Sequence, residues 1–406
     1  MVDEPFRVRA LTSDDVAPLR RVLAGAFLTD LDETRPERVE HVLEFERTHG
    51  VFDGDDLIGV GAVLSREITL PGGVVAPVAA MTAAGVRPGY QGRGVLNLVV
   101  SSILRGIETG AGEALAVLWA SEGAIYSRFG CGSLATDLLH VALPHGARFH
   151  EGVDVGVDRV REVTRAEALP VLKETYERVR RTRVGWLGRD EGAWGFHLAD
   201  EDRYRDGRSA LRYALHPCGY VVYRVKTGWD ARGPQDDLHV HELVAETDVA
   251  HAALYRHLLD LGLGGEVKNY TAPDDPVVHL LANPRVAVRQ RHDALWLRLL
   301  HVDRALELRR YGSDVDVVVE VVDAVCPWNA GAWRVTVVKG EATVRRTSAG
   351  RDVTADVGAL GSAYLGGTRL SVLARAGRVR EHTVGAVEAL SAAFLGEREP
   401  HCPELF

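Results

Sequence analysis

The sequence predicts an α+β protein built from three consecutive units. The order strand, strand, helix occurs twice, first within residues 51–107 and again within residues 220–261. After residue 294 the chain changes to shorter strands mixed with helices. At 406 residues it is also long for a single hydrophobic core. We therefore expect domains at residues 1–150, 151–290 and 291–406.

The first unit alternates between the apolar pattern of strands and that of helices. Residues 6–10 alternate like a strand, and Thr12 to Asp15 supply capping side chains for a helix with its apolar positions at Leu19, Val22 and Phe27. Extended runs separated by Gly-containing turns predict antiparallel strands at residues 51–53, 57–64 and 74–86. An apolar helical stripe begins at Val95. Further elements are expected at residues 114–119 (strand), 124–129 (helix) and 136–143 (strand).

The second unit repeats this order. We expect a helix over residues 161–176 and beyond, strands at 220–225 and 238–244, and a helix at about 249–261. Glu246-Thr247-Asp248 stands where the first unit has a Gly-rich loop. The pattern indicates a second copy that has lost its cofactor.

The third unit mixes short elements. The pattern predicts a strand at residues 295–300, a helix at 302–311, strands at 317–322, 332–338 and 341–346, and two closing helices at about 353–364 and 384–394.

Composition excludes several classes of protein. A net charge of −9 disfavours a nucleic-acid binder and suits a cationic substrate, although a modest negative charge also serves solubility. The four cysteines lie far apart without zinc-ligand spacing, so no metal is expected. The sequence shows neither a signal peptide nor an apolar run that could span a membrane. We expect no membrane insertion and a cytoplasmic protein with reduced thiols.

A Gly-rich segment joins the predicted strand 74–86 to the helix that begins near Val95. Gly92 and Gly94 permit close approach of an anion to backbone N–H groups, the helix N-terminus favours phosphate, and Arg93 adds a positive charge. The alternative is a plain tight turn. The antiparallel strands before the segment argue against a dinucleotide-binding βαβ unit, and the segment lacks a Gly-Lys-Ser/Thr ending.

Gln91-Gly92-Arg93-Gly94 resembles the acetyl-CoA motif of the GNAT superfamily, Arg/Gln-x-x-Gly-x-Gly/Ala. The match covers the first four positions of the motif, and Leu96 departs from its final small residue.

A longer segment is more specific. This segment is Ser121-Glu122-Gly123-Ala124-Ile125-Tyr126-Ser127-Arg128-Phe129-Gly130. With this segment, the block at residues 295–311 and the apolar C-terminus, the chain resembles the Eis (enhanced intracellular survival) branch of that superfamily. The resemblance implies an N-terminal GNAT domain, a degenerate central GNAT domain, a C-terminal domain similar to sterol carrier proteins, and a homohexamer. It implies acetyl-CoA binding by Ala84, Gly85, Val86, Gln91, Gly92, Arg93, Gly94, Val95, Leu96, Asn97, Ser121 and Glu122.

Acetyl transfer to an amine needs an oxyanion donor, a proton for the departing thiolate, and a base for the ammonium. We expect a backbone N–H near Val86 to be the oxyanion donor. The resemblance assigns the acid to Tyr126, which otherwise would pack its ring and hydrogen-bond locally. It assigns the base to the C-terminal carboxylate of Phe406, which is ionised at neutral pH because its reference pKa is about 3.3–3.7.

Aromatic and acidic residues are candidates for the substrate pocket because both suit cations. Any of them could equally be core residues, and Trp119 departs from the His of well-known members of the family. The candidates are Phe27, Asp30, Trp119, Trp186, Trp194 and Glu404.

The sequence therefore predicts an acetyl-CoA-dependent N-acetyltransferase of polyamine or aminoglycoside-type substrates. A protein-lysine acetyltransferase is an alternative. A shallow groove would favour this alternative, whereas a wide acidic pocket would favour small polyamines. A lipid carrier without catalysis is another. The presence of Tyr126 and the form of the C-terminus favour the enzyme over the carrier.

Overall fold

The computed structural model describes residues 6–31, 37–108, 112–231, 233–261 and 264–406. The described strands form three large sheets of six, seven and five strands, and a short hairpin. This agrees with the predicted α+β class.

The first unit follows the predicted order of elements closely. Gly59 and Gly61 on its third strand let the second helix pack close, since a Cβ at either position would lie 2.5 Å from a methyl of Val95 or Val99. The elements are β1 (Arg7–Ala10), α1 (Val16–Phe27), β2 (Thr48–Asp53), β3 (Asp56–Leu70), β4 (Val74–Val86), α2 (Val95–Glu108), β5 (Leu115–Trp119), α3 (Gly123–Tyr126) and β6 (Asp137–Pro144).

The second unit differs from the prediction at its start. Residues 161–163 form a strand instead of the first helical turn, because Thr164 caps the helix that follows and Glu167 completes the capping box. Its elements are β7 (Arg161–Val163), α4 (Arg165–Arg180), α5 (Glu191–His197), β8 (Arg212–His216), β9 (Gly219–Lys226), β10 (Trp229–Asp230), β11 (Gly233–Pro234), β12 (Asp237–Ala245), α6 (Asp248–Leu261), β13 (Glu266–Thr271), α7 (Val277–Leu280) and β14 (Val288–Asp293).

Two strands pair in sheets outside the units to which the sequence assigns them. β6 pairs with β13 and β14 in the second sheet, although it lies before the predicted boundary at residue 150. β15 (Leu295–Leu299) pairs with β5 at the edge of the first sheet, although it lies after the predicted boundary at residue 290. The first two sheets therefore do not end at the boundaries that the sequence predicts.

The third unit contains a strand where a helix was expected. Residues 353–356 pair in parallel with the neighbouring strand, and the Asp356 side chain then caps the helix at the N–H of Ala359. The elements are α8 (Val302–Leu308), β16 (Val315–Val322), β17 (Gly331–Val338), β18 (Glu341–Arg346), β19 (Val353–Asp356), α9 (Val357–Ala363), α10 (Leu370–Arg375), β20 (Val379–Glu381) and α11 (Ala386–Phe394).

The third unit contributes many side chains to a buried core. Val319, Leu360 and Leu390 belong to its buried core. Arg309 is also buried and donates hydrogen bonds to the backbone carbonyls of Tyr364 and Phe394. The guanidinium thus satisfies carbonyls that the helices leave open.

The residues after α11 form a tail that is docked on the other units. The N–H of His401 donates to the carbonyl of Val184 at 2.9 Å. The hydroxyl of Thr82 donates to the main-chain oxygen of Phe406 at 2.9 Å. Cys402 and Phe406 are both buried. The chain end is therefore held inside the protein.

The buried tail predicts a loss of stability on acidification. Burial lowers the pKa of His401 to about 3, whereas an unfolded chain titrates near 6.5. Between these values the unfolded state binds more protons, so stability falls as pH falls, by up to about 1.4 kcal/mol per pH unit for one histidine. We expect His401→Phe to flatten the change of the urea midpoint between pH 7 and pH 5.

Replacing an exposed histidine provides the control for this experiment. His145 is exposed, so His145→Phe should leave the pH dependence of the urea midpoint as in the wild type. Equal slopes in the wild type and in His401→Phe would contradict the prediction.

No helix in the described ranges is long and apolar enough to cross a membrane. Nor do the described residues contain a cluster of three or more His, Cys, Asp or Glu side chains that would hold a metal ion.

Candidate active site

The candidate site begins where β4 and β5 separate. Their parallel pairing covers only Ala79 to Met81 and Ala116 to Leu118. In the next residues β4 carries a bulge, since Thr82 pairs with Ala62 and Gly85 with Val60 of β3. Ala83 within the bulge has a φ of 50°. A bulge redirects the backbone of a strand, so residues 82–86 leave the pairing with β5 and border a gap.

A cavity of about 700 Å³ lies over the N-terminus of α2, and we call it the loop cavity. Its lining includes every residue that the sequence predicted for acetyl-CoA except Arg93: Ala84, Gly85, Val86, Gln91, Gly92, Gly94, Val95, Leu96, Asn97, Ser121 and Glu122. The structure thus brings together two segments that are more than twenty residues apart in the chain.

The loop cavity suits a phosphate group. Gly92 and Gly94 have φ values of 75° and 81°, and a Cβ at either position would meet only open space. Among the described residues no side chain caps the first turn of α2, so its N–H groups are available to an anion. In the second unit the corresponding turn of α6 is capped, because Thr247 accepts from the N–H of Ala250 at 3.1 Å.

Arg93 takes a different place from the one expected. Its guanidinium lies 5.1 Å from the centroid of the Phe6 ring and 5.0 Å from that of Tyr90. Two aromatic faces attract the cation, and Arg93 is not among the residues that line the loop cavity.

A second cavity of about 380 Å³, the inner cavity, lies at the gap between β4 and β5. It shares Phe27, Ala84, Ser121 and Tyr126 with the loop cavity, so the two are adjacent. Its walls are mainly apolar. The other lining residues are Ala62, Met81, Thr82, Ala83, Val100, Ile103, Leu118, Trp119, Ala120, Leu405 and Phe406.

Tyr126 ends α3 and lies at the junction of the two cavities. The side chain of Glu122 starts this short helix by accepting from the N–H of Ala124 at 3.1 Å. Tyr126 is only 7% exposed, and burial raises the pKa of its phenol above the usual value near 10. The hydroxyl therefore keeps its proton at neutral pH.

The chain terminus lies in the same inner cavity. Phe406 is on its lining and is 8% exposed. Thr82, the first residue of β4 beyond the pairing with β5, donates its hydroxyl hydrogen to Phe406. None of the described residues that line the inner cavity is an aspartate or a glutamate.

The substrate candidates divide into two groups. Phe27 and Trp119 line the inner cavity, and the buried indole nitrogen of Trp119 has no partner in the described part of the chain. Asp30 is exposed and is not on the lining.

Two residues that line the inner cavity, Thr82 and Leu405, were not predicted from the sequence. A hydroxyl in the otherwise apolar run of β4 was the available indication for Thr82.

Three further candidates are core residues and do not reach the cavity. Trp186 and Trp194 pack against the buried ring of Tyr176, with centroid distances of 5.1 and 5.5 Å. The carboxylate of Glu404 is bonded to the guanidinium groups of Arg66 and Arg189. Large aromatic rings gain most by full burial, and a buried carboxylate needs paired cations, which explains both placements.

Three family models match successive parts of the chain. Models of an acetyltransferase (GNAT) domain match residues 7–134 and 185–309, and a sterol carrier protein domain model matches residues 302–403. An uncharacterised N-acetyltransferase of Streptomyces avermitilis is 37% identical over 98% of this chain and 99% of its own length. The protein is therefore an N-acetyltransferase enzyme with two GNAT domains and a sterol-carrier-type domain.

N-acetyltransferase Eis of Mycobacterium tuberculosis is 35% identical over 86% of this chain and 85% of its own. The crystal structure of Eis1 from Mycobacterium abscessus covers 98% of this chain and 100% of its own, with a TM-score of 0.86 and 33% identity. The chain belongs to the Eis family of N-acetyltransferases. The predicted family and the predicted order of fold types are confirmed.

Proposed function

We propose that this enzyme transfers the acetyl group of acetyl-CoA to a small cationic amine by direct attack. One observation carries the proposal: Tyr126 and Phe406 line one inner cavity, beside a loop cavity suited to phosphate. An acid and a base that share one cavity are what the proton transfers of this reaction need.

Acetyl-CoA supplies the acetyl group as a thioester to which the amine adds. The pyrophosphate would lie on the N–H groups of Gly92, Gly94 and the first turn of α2. The acyl end would enter the gap between β4 and β5, where a backbone N–H between Ala83 and Val86 would donate to the carbonyl oxygen.

Two groups of the inner cavity would move the protons. The terminal carboxylate accepts a proton from the ammonium, directly or through water, and so frees the amine lone pair. Tyr126 donates its phenolic proton to the departing sulfur. The buried phenol is protonated at neutral pH, so Tyr126 begins in the form that an acid requires.

The inner cavity supports a small-molecule substrate of the polyamine or aminoglycoside type. A volume of about 380 Å³ is that of a pocket for a small ligand. Phe27, Met81 and Trp119 offer apolar and aromatic walls for the carbon skeleton, and Trp119 and Phe27 suit an ammonium as well. The lipid-carrier alternative would leave the adjoining loop and inner cavities without a role.

Release of the CoA thiol in the presence of single amines tests the proposal. The panel contains a polyamine, an aminoglycoside, a lysine peptide and a blank without amine. We expect turnover with the polyamine or the aminoglycoside, well above the blank. Turnover with none of these amines, or with the peptide alone, would contradict the proposal.

Substitution of one loop glycine should weaken acetyl-CoA binding. Gly92→Ala places a side chain at a φ of 75°, which costs about 1–2 kcal/mol for an L-residue. The loop would relax away from the conformation that binds phosphate. We expect the KM for acetyl-CoA to rise about 5- to 30-fold, with kcat at saturation little changed, as measured by steady-state kinetics.

Gly89 offers the matched control for this substitution. It has a φ of 89° and equally open surroundings, yet it does not line the loop cavity. Gly89→Ala should therefore leave the KM for acetyl-CoA nearly unchanged. Equal increases in the two variants would show that general loop strain, and not phosphate binding, is responsible.

We also propose a cytoplasmic homohexamer, which the family resemblance and the composition suggest. Light scattering of the purified chain would give a mass of six copies, and a mass of one or two copies would contradict this.

A further inference from the structure

A buried ionic cluster lies two residues before the end of the chain. Glu404 binds Arg66 of β3 through one carboxylate oxygen and Arg189, just before α5, through the other. The three side chains are 4%, 6% and 0% exposed. The cluster thus joins the first unit, the second unit and the tail.

Both arginines are held in place by other contacts. The Nε–H of Arg66 donates to the carbonyl of Gly188 at 2.9 Å. Arg189 donates to Glu242 of β12 at 2.6 Å, and its guanidinium lies 3.8 Å from the centroid of the Tyr176 ring. The two cations therefore form a rigid fork to which the carboxylate of Glu404 is bound.

The fork and the chain end are connected by a very short segment. Only Leu405 separates Glu404 from Phe406, and two residues span at most about 7 Å. The tail is also fixed at Phe406 by the hydroxyl of Thr82 at 2.9 Å. Since the segment is anchored at both ends, the orientation of Glu404 limits where the terminal carboxylate lies.

A substrate-binding role for Glu404 does not fit this arrangement. Both of its oxygens are bonded to arginines, and the residue is absent from the lining of the inner cavity. Two guanidinium charges face the carboxylates of Glu404 and Glu242. A buried ion pair of this kind contributes little net stability compared with apolar side chains of similar size, but it fixes the relative positions of its charged groups.

We propose that Glu404 is a positioning residue: held by Arg66 and Arg189, it fixes the terminal carboxylate of Phe406 beside Thr82 in the inner cavity. The inference rests on the proposed function, in which that carboxylate is the base. It follows that the base is in place only when both GNAT units and the tail are docked together.

The test removes the charge of Glu404 and keeps its shape. Glu404→Gln should lower kcat about 10- to 100-fold, while the KM for acetyl-CoA stays the same, because the loop cavity contains no part of the cluster. Glu399→Gln is the control, since Glu399 lies in the same tail and its ion pair with Arg291 is long at 3.9 Å. An unchanged kcat in Glu404→Gln would overturn the proposal.

A double variant separates positioning from general damage. In a chain that lacks Phe406, Glu404→Gln should lower kcat by less than twofold, because the group that it positions is gone. If the two losses multiply instead, Glu404 acts independently of the terminus and the proposal is wrong. If deletion of Phe406 alone left kcat intact, the assignment of the base itself would be wrong. The two variants therefore distinguish failure of the positioning role from failure of the proposed function.

A second variant covers the outcome that Glu404→Gln does not fold. Glu404→Asp keeps the negative charge between the arginines and shortens the side chain by one methylene. We expect a folded protein whose kcat is several-fold lower, again with an unchanged KM for acetyl-CoA. A wild-type kcat in Glu404→Asp would count against positioning by this cluster.

Discussion

A Tyr126→Phe variant is expected to lose about 100- to 10,000-fold in kcat, the range in which general acid catalysis contributes. The phenyl ring fills the same buried volume, so the fold and both cavities should be retained. The departing sulfur loses its proton donor. In the proposed binding mode acetyl-CoA is held mainly by the loop at residues 86–97, so the dissociation constant should change little. Stopped-flow kinetics and calorimetry measure these two quantities.

Tyr90→Phe is the matched control for this prediction. Tyr90 lines the loop cavity, and its hydroxyl donates to Asp53 at 3.1 Å, away from the inner cavity. The Tyr90→Phe variant should therefore keep nearly all of the wild-type kcat. Similar losses in the two variants would contradict the assignment of the acid to Tyr126.

The pH profile supplies a further check on the same residue. Burial raises the pKa of Tyr126 above 10, so the protonated form is lost only at higher pH. Because the acid acts as the protonated phenol, its titration should not lower kcat below about pH 10. A loss of kcat near pH 8 that disappears in Tyr126→Phe would contradict this.

Local features of the site could be predicted from the sequence, because a few adjacent residues determine them. The turn at Gly92 and Gly94 and the stripe that begins at Val95 fix a loop followed by a helix. The crossing of β6 and β15 between sheets could not be predicted. Each reads as an ordinary strand, and its pairing partner is set by residues more than a hundred positions away.

The direction in which a side chain points could not be predicted from the sequence either. Trp119 and Trp194 are the same residue type, yet one lines the inner cavity and the other packs on Tyr176. Glu404 was selected for its charge, which in the structure serves two arginines that lie more than two hundred residues earlier in the chain. Residue type indicates chemistry, whereas packing decides what that chemistry contacts.

Displacing the terminal carboxylate should reduce kcat by about 100-fold or more, because a base that is out of reach contributes nothing. Two extra glycines after Phe406 move the carboxylate by up to about 7 Å. Deletion of Phe406 moves it back by one residue and leaves Thr82 without its partner. Both variants should retain acetyl-CoA binding, since the loop cavity does not include the chain end.

Phe406→Leu separates the carboxylate from the ring that carries it. The terminal carboxylate stays in position two residues after Glu404, while part of the apolar wall is lost. We expect kcat to fall only a few-fold, with the KM for the amine rising by a similar factor. If Phe406→Leu and the two-glycine extension lowered kcat equally, the ring would be the important group. A small loss in the substitution beside a large one in the extension supports the position of the carboxylate as the cause, since both variants keep a terminal carboxylate.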